Sequence, residues 1–344
     1  MNKYLGLFFV FAFLVEVPLA SAGFVPQPST LSLSKFIIKS ADTHLGRQGV
    51  YLNGTTGQNN SNVWEWEIGS GQTFSNIQGI TAEGMLGAYD RTSNPDYLTA
   101  AIGTADVLKN RYDNNAPSRP FAQDVAFFVH LCRSSGDTSW CTYATNLYAR
   151  VINDFPTGAA NTDRYINARR SLAGWDVSWH IRAAQLTGYN TYAQDMANRL
   201  FAERGAWEGV LLGGFDYTVL SHNTMHWAYG KLPGQGANTA TLKSFVLGSQ
   251  DTDGSWGGDF QATAYALIGL DALSTTERQA VNAAVAFFMN TANSEGGWQY
   301  DGEPEYGEIN SEVISALAGV PSLLIRFTPS SSTSSFSGMN GPVQ

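Results

Sequence analysis

The chain has 344 residues, of which 43% are hydrophobic and 14% charged, and its formal net charge is −9 at pH 7. That balance excludes an intrinsically disordered chain and predicts a large buried core. The acidity argues against nucleic acid and anionic membrane surfaces as partners. A strongly polyanionic ligand would need a local basic patch. The one candidate, Arg164 to Arg170 with Arg169 and Arg170, reads as a solvated loop.

The N-terminal segment reads as an address. Lys3 precedes the apolar run Tyr4 to Val15, and Ala20-Ser21-Ala22 offers a small-residue cleavage site. Residues 1–22 are therefore expected to be a secretory signal peptide, and the mature chain to be secreted, periplasmic or extracellular. No second apolar run is long enough to span a bilayer. The two cysteines, Cys132 and Cys141, flank the turn Ser134-Ser135-Gly136-Asp137. In an oxidising compartment they are expected to pair and staple one helical hairpin.

Along the chain, a period of roughly 35 to 50 residues marks stacked helix pairs. An opening helix is predicted over 30–45. The Gly/Asn/Ser-rich stretch 46–76, carrying Trp64-Glu65-Trp66-Glu67, is long for a connection and is a candidate binding loop. Helix pairs are predicted at 77–91 with 95–112, 119–135 with 138–153, 171–187 with 190–204, 217–230 with 237–249, and 259–273 with 275–291. A sixth helix, 305–319, is followed by a short 321–327. The Ser-rich stretch 328–344 is expected to be a disordered tail, which makes 23–327 one domain. The first helix of each pair is apolar nearly all round and the second is striped, as inner and outer layers require. The predicted fold is all-α: an α/α toroid of about six hairpins, with an inner ring inside an outer one.

Gln250, Gly254 and Trp256 fit a Q-x-x-x-G-x-W pattern. The pattern resembles the QW repeat of terpenoid cyclases, and the following GG-x-x-x-x-T-A-Y-A-L resembles protein prenyltransferase β-subunits. A second echo falls at Gly296, Gly297 and Trp298, with Ala292 in place of the Gln. Both families are toroids of paired helices, so the resemblance implies that architecture. Isoprenoid chemistry is opposed by the absence of a D-x-D-D motif; the nearest sequence, Asp251-Thr252-Asp253-Gly254, lies inside the QW turn. A prenyltransferase zinc site has no cysteine to build it.

In a toroid the inner helices point their N-termini at one mouth, where polar ligands collect. Asp124, Asp176, Asp216, Asp259, Glu305 and Glu308 fall near those ends. Asp124 and Asp176 read as lying past the first turn, in aromatic surroundings that would raise a carboxyl pKa for general-acid work. Their segments, FAQDVAFFVHLCRSSGD and AGWDVSWHIRAAQLTGY, resemble repeats of unsaturated-glucuronyl hydrolases, which implies inner-helix aspartates in comparable places. A second constellation, His222, His226 and Tyr229, has i, i+4, i+7 spacing on one face. Asn223 stands where H-E-x-x-H requires Glu, so no zincin site forms. Elimination on a uronate by His222 or Tyr229 is the alternative chemistry, because toroidal polysaccharide lyases resemble this block in residue types. Trp64, Trp66, Trp175, Trp179 and Trp227 are candidate sugar platforms, with Asp216, Asp259 and Glu308 as polar contacts. Asp251 and Asp253 offer a possible calcium site, read in preference as a polar-capped turn; no other cofactor is expected. The favoured reading is a secreted enzyme that hydrolyses a polysaccharide or oligosaccharide in an acidic, Trp-rich cleft. The alternatives are a polysaccharide lyase, a non-catalytic glycan- or protein-binding toroid, and a terpenoid-cyclase-like enzyme.

Overall fold

The computed structural model describes residues 32–49, 62–114 and 119–321. In chain order the helices are α1 (Leu33–Gly46), α2 (Gln78–Thr92), α3 (Pro95–Asn114), α4 (Ala122–Ser135), α5 (Thr138–Asp154), α6 (Gly158–Arg169) and α7 (Ala173–Leu186). They continue with α8 (Asn190–Ala202), the single turn α9 (Arg204–Trp207), α10 (Thr218–Gly230), α11 (Gly236–Gly248), α12 (Phe260–Gly269), α13 (Thr275–Thr291) and α14 (Gly307–Gly319). Among the described residues, extended pairing is limited to four isolated bridges. The signal-peptide segment, the helix 321–327 and the Ser-rich tail lie wholly or almost wholly outside the described residues.

Helices α2, α4, α7, α10, α12 and α14 form the inner ring. Each packs on the next, and α14 returns to α2 to close the circle. The expected α/α toroid is thus the observed one. Close approach at the seam comes from small residues. Gly84 on α2 donates its N–H to Ser311 Oγ on α14 at 2.7 Å, and that hydroxyl donates onward to the Ile80 carbonyl at 2.6 Å. A Cβ at Gly84 would lie 2.8 Å from the Ser311 Cα and 2.7 Å from its carbonyl oxygen, so the backbones would have to separate.

The outer helices are tied to the inner ring by tryptophans. Trp64, Trp207, Trp256 and Trp298 are fully buried. Their indole N–H groups donate to His44, Leu200, Val246 and Phe288 carbonyls at 2.7, 3.3, 2.7 and 2.9 Å. Each acceptor is among the last four carbonyls of an outer helix (α1, α8, α11, α13), which have no intrahelical donor. Two of these tryptophans also grip the next inner helix: Trp256 N–H donates to Thr263 Oγ1 at 3.0 Å and Trp298 N–H to Asn310 Oδ1 at 2.8 Å. In the QW turn, Gln250 Nε2 donates to the Gly254 and Ala280 carbonyls at 3.0 and 2.9 Å. Gly254 has φ +95°, and a Cβ there would meet the Ala283 carbonyl. In the second echo, where Ala292 stands at the Gln position, the neighbouring Asn293 folds the turn, its Oδ1 accepting the N–H groups of Glu295, Gly296 and Gly297.

Two departures matter. Arg164 to Arg170 was expected to be a solvated loop, but Arg164 to Arg169 end a helix over 158–169, because Thr157 caps its start and Ile166 supplies a buried anchor. Helix α12 stops at Gly269, four residues early, with Leu270 extended and Ala272 at φ 54°. Cys132 and Cys141 form the expected disulfide between α4 and α5.

Gly84→Ala is expected to destabilise the fold by about 1–3 kcal/mol, the usual cost of overpacking a tight contact. Urea unfolding followed by far-UV circular dichroism would show an unchanged midpoint if the seam could yield.

Candidate active site

A cavity of about 530 Å³ opens at the end of the ring where the inner helices begin. Its walls come from Trp175 on α7, Tyr217 before α10, Asp259 and Gln261 at the start of α12, Glu308 on α14, and Ile77 before α2. Trp66, Phe74, Tyr300 and Tyr306 add aromatic faces from the loops.

The loop 62–77 is folded by one buried carboxylate. Glu65 accepts the N–H groups of Gly69 and, at 2.9 Å, Gly71. Trp66 then bridges to the start of α14: its carbonyl accepts the Gly307 N–H at 2.9 Å, and its ring lies 5.1 Å from that of Tyr306 and 5.2 Å from that of Phe74. This delivers an aromatic wall beside Glu308. The candidate binding loop therefore reaches the cavity through residues 66 and 74, while 50–61 lie outside the described residues.

Two carboxyls dominate the electrostatics. Glu308 lines the cavity and has no hydrogen-bond or ion-pair partner among the described residues. Burial, and then the charge of Asp176, push its pKa up to about 7. Asp176 is also lifted by burial, to about 6, against the opposing pull of Arg169. Arg169 Nε donates to Asp176 Oδ2 at 2.9 Å, and Arg169 itself lines the cavity. The two carboxyls thus share one site but differ in their company: Asp176 has a cation, Glu308 has none. At neutral pH that difference leaves Asp176 ionised and Glu308 carrying a proton for part of the time.

Below them lies a polar floor. Trp179 Nε1 donates to the Tyr265 hydroxyl at 2.9 Å, which donates to Glu312 Oε1 at 2.6 Å, while Gln261 Nε2 donates to Glu312 Oε2 at 2.8 Å. At the rim, Asp259 caps α12 through the Ala262 N–H and accepts the Tyr300 hydroxyl at 2.8 Å. Burial raises its pKa as well.

Other candidates lie elsewhere. Asp124 and Asp176 both sit in the first turn of their helices, contrary to expectation. Asp124 is fully buried away from the cavity wall and is held by Arg111 and Tyr112 at 2.6 Å each and the Gly79 N–H at 3.0 Å, a structural knot between α2, α3 and α4. Its acceptors are occupied, so the expected pairing with Asp176 is replaced by Glu308 with Asp176. His222, His226 and Tyr229 do share a face of α10, but that face packs away from the bore. His222 Nε2 meets Glu208 at 2.6 Å and its ring abuts Phe245 of α11. Tyr229 donates to the Ala197 carbonyl of α8 at 2.6 Å, and His226 is buried with its Nδ1 unpartnered. Trp64 is one of the structural tryptophans, its ring stacked 4.9 Å from that of His44. Trp179 belongs to the floor, and Trp227 lines a different cavity. Asp216 is exposed and caps α10 through the Thr218 N–H. Glu305 pairs with Arg47 and Asn310. In the possible calcium turn, Asp251 accepts the Gly257 N–H and Asp253 the Ser255 N–H, and no three potential metal ligands cluster among the described residues.

Residues missed from the sequence are Arg169, Gln261, Tyr217, Tyr300, Tyr306 and Glu312. Glu308 and Glu312, four apart on an otherwise apolar helix, were the legible signal for a site deep on α14.

No family model and no curated protein matches this sequence. Solved structures share its fold. A possible GH105 member from Salmonella enterica has a TM-score of 0.59 at 10% identity, covering 88% of this chain and 98% of that one. The GH76A α-1,6-mannanase from a Salegentibacter species has a TM-score of 0.54 at 11% identity, covering 85% and 100%. An unsaturated glucuronyl hydrolase from Streptococcus agalactiae has a TM-score of 0.52 at 14% identity, covering 84% and 92%. At these identities the likeness establishes the architecture: the chain has the α/α-toroid fold of these glycoside hydrolases.

Because the native fold keeps Glu308 and Asp176 protonated to higher pH than the unfolded chain does, their burial lowers stability as pH rises from about 4 towards 7. Glu308→Gln is therefore expected to melt higher than the parent at pH 8, with the gap closing by pH 5. Equal melting curves at pH 8 would show that Glu308 bears no buried charge.

Proposed function

We propose that this chain is a secreted glycoside hydrolase acting on a polysaccharide or oligosaccharide, with Glu308 as proton donor and Asp176 as base. The observation that carries the reading is Glu308 on the wall of an aromatic cavity, its pKa raised by burial and by the charge of Asp176, which the cavity-lining Arg169 holds beside it. Glu308 would protonate the glycosidic oxygen, while ionised Asp176 takes a proton from the attacking water. Trp66, Trp175 and Tyr306 supply ring faces for stacking on sugars. The neighbours in fold include a mannanase and a glucuronyl hydrolase, which supports glycan chemistry without selecting a linkage. Secretion is supported by the leader-like sequence and by the disulfide. No described helix is long and apolar enough to cross a membrane. Elimination by His222 or Tyr229 loses its basis, since both are committed to packing between the rings.

A panel of polysaccharides assayed for new reducing ends and for absorbance of unsaturated uronates tests the proposal. Hydrolysis gives reducing ends without the absorbance. Asp176→Asn and Glu308→Gln are each expected to lower kcat by about 10²–10⁴-fold with KM little changed. The pH profile of kcat should be bell-shaped, its acid limb near 6 from Asp176 and its alkaline limb near 7 from Glu308. Absorbance of unsaturated uronates would overturn hydrolysis in favour of elimination, and glycan binding without turnover would favour the binding toroid.

A further inference from the structure

A second cavity, about 240 Å³, runs from the middle of the inner helices towards their C-terminal ends. The floor residues Trp179, Tyr265 and Glu312 line it from above, and no residue lining it also lines the first cavity. Its electrostatics are the reverse of the first. Arg182 on α7 is half-buried, and its Nε atom is buried with no hydrogen-bond partner. The guanidinium makes one side-chain contact, to Gln185, and sits 5.5 Å over the ring of Trp227. The neighbouring charge that acts on it is another cation, Arg133 at the rim. Among the described residues neither arginine has a carboxylate within ion-pair reach. The two carboxyls on the wall bond elsewhere: Glu83 Oε1 meets His130 at 2.5 Å, its Oε2 being unpartnered, and Glu312 accepts from Tyr265 and Gln261.

A buried cation without a counter-charge is costly, and folds retain one where a ligand supplies the missing partner. Beside it, the rings of Trp179 and Trp227 meet edge-on, 4.8 Å apart at 70°, forming a corner that fits a flat or saturated six-membered ring. We propose that this cavity is a second ligand site, taking a small molecule with a carboxylate on a ring. Arg182 and Arg133 hold the carboxylate, and the two indoles hold the ring. A guanidinium reads a carboxylate through paired N–H donors. The size admits one ring, such as a uronic acid or an aromatic acid, and the assignment does not depend on glycan cleavage in the first cavity.

Calorimetric titration of the full chain with glucuronate, benzoate and neutral glucose tests this. At least one carboxylate should bind while glucose does not, and the one that binds identifies the ring. Arg182→Met and Arg133→Met should each weaken that binding at least tenfold, whereas Glu308→Gln, in the first cavity, should leave it unchanged. Ligand-free Arg182→Met should also melt above the parent, because it removes a buried unpaired charge. Arg133 is exposed, so its variant reports on binding even if the Arg182 variant folds poorly. The proposal is overturned if neither carboxylate binds, if glucose binds as well, or if binding survives both arginine substitutions and is lost in Glu308→Gln.

Discussion

Four buried indole N–H groups, on Trp64, Trp207, Trp256 and Trp298, each reach a carbonyl in the last turn of an outer helix. One such hydrogen bond is worth about 1 kcal/mol net, but losing it would strand a buried polar group, which costs more. The effect is positional as well as energetic. Each tryptophan fixes where an outer helix stops, and so where the next loop can deliver an inner helix. In this way Trp298 and Trp256 set the starts of α14 and α12, which carry Glu308 and Asp259. The site is built on the rigid ends of helices, with the loop residues Trp66 and Tyr306 closing over it.

The ring also explains how two carboxyls acquire different chemical characters. Both are lifted by burial, and the charge of Asp176 lifts Glu308 further. One guanidinium, delivered by α6, breaks the symmetry. Arg170, at φ 48°, turns the chain between α6 and α7, which brings Arg169 back over the first turn of the helix that bears Asp176. The rear cavity inverts this arrangement, with cations left uncompensated beneath the same Trp179–Tyr265–Glu312 layer. The bore is thus divided into an acidic chamber and a basic one.

Much of the architecture was legible because helix periodicity and Gly-marked turns are local signals. The helices 95–112, 138–153 and 275–291 needed no tertiary information, and the QW-like turn at Gln250 to Trp256 pointed to the toroid. The helix α6 escaped because Gly158–Arg169 is polar and alternates weakly, with Ile166 its main apolar anchor. Site residues were read less well for a different reason. Asp124 and Asp176 look alike in sequence, each among aromatics near a helix start. What separates them is whether a neighbouring helix supplies Arg111 and Tyr112, or the site supplies Arg169. His222, His226 and Tyr229 were correctly placed on one face, but periodicity does not tell whether a face looks inward to the bore or outward to the second ring.

The bond between Gly84 and Ser311 joins positions 227 residues apart, and it completes the circle of inner helices. An open solenoid can add or lose a repeat and keep the rest, because each unit leans on its immediate neighbours. A closed cylinder has no spare end. Until α14 meets α2, both helices expose apolar flanks and neither chamber has a complete wall. The molecule should therefore assemble late and all at once, with slow kinetics set by a long-range closure. A nascent chain therefore cannot finish the ring before its last helix emerges.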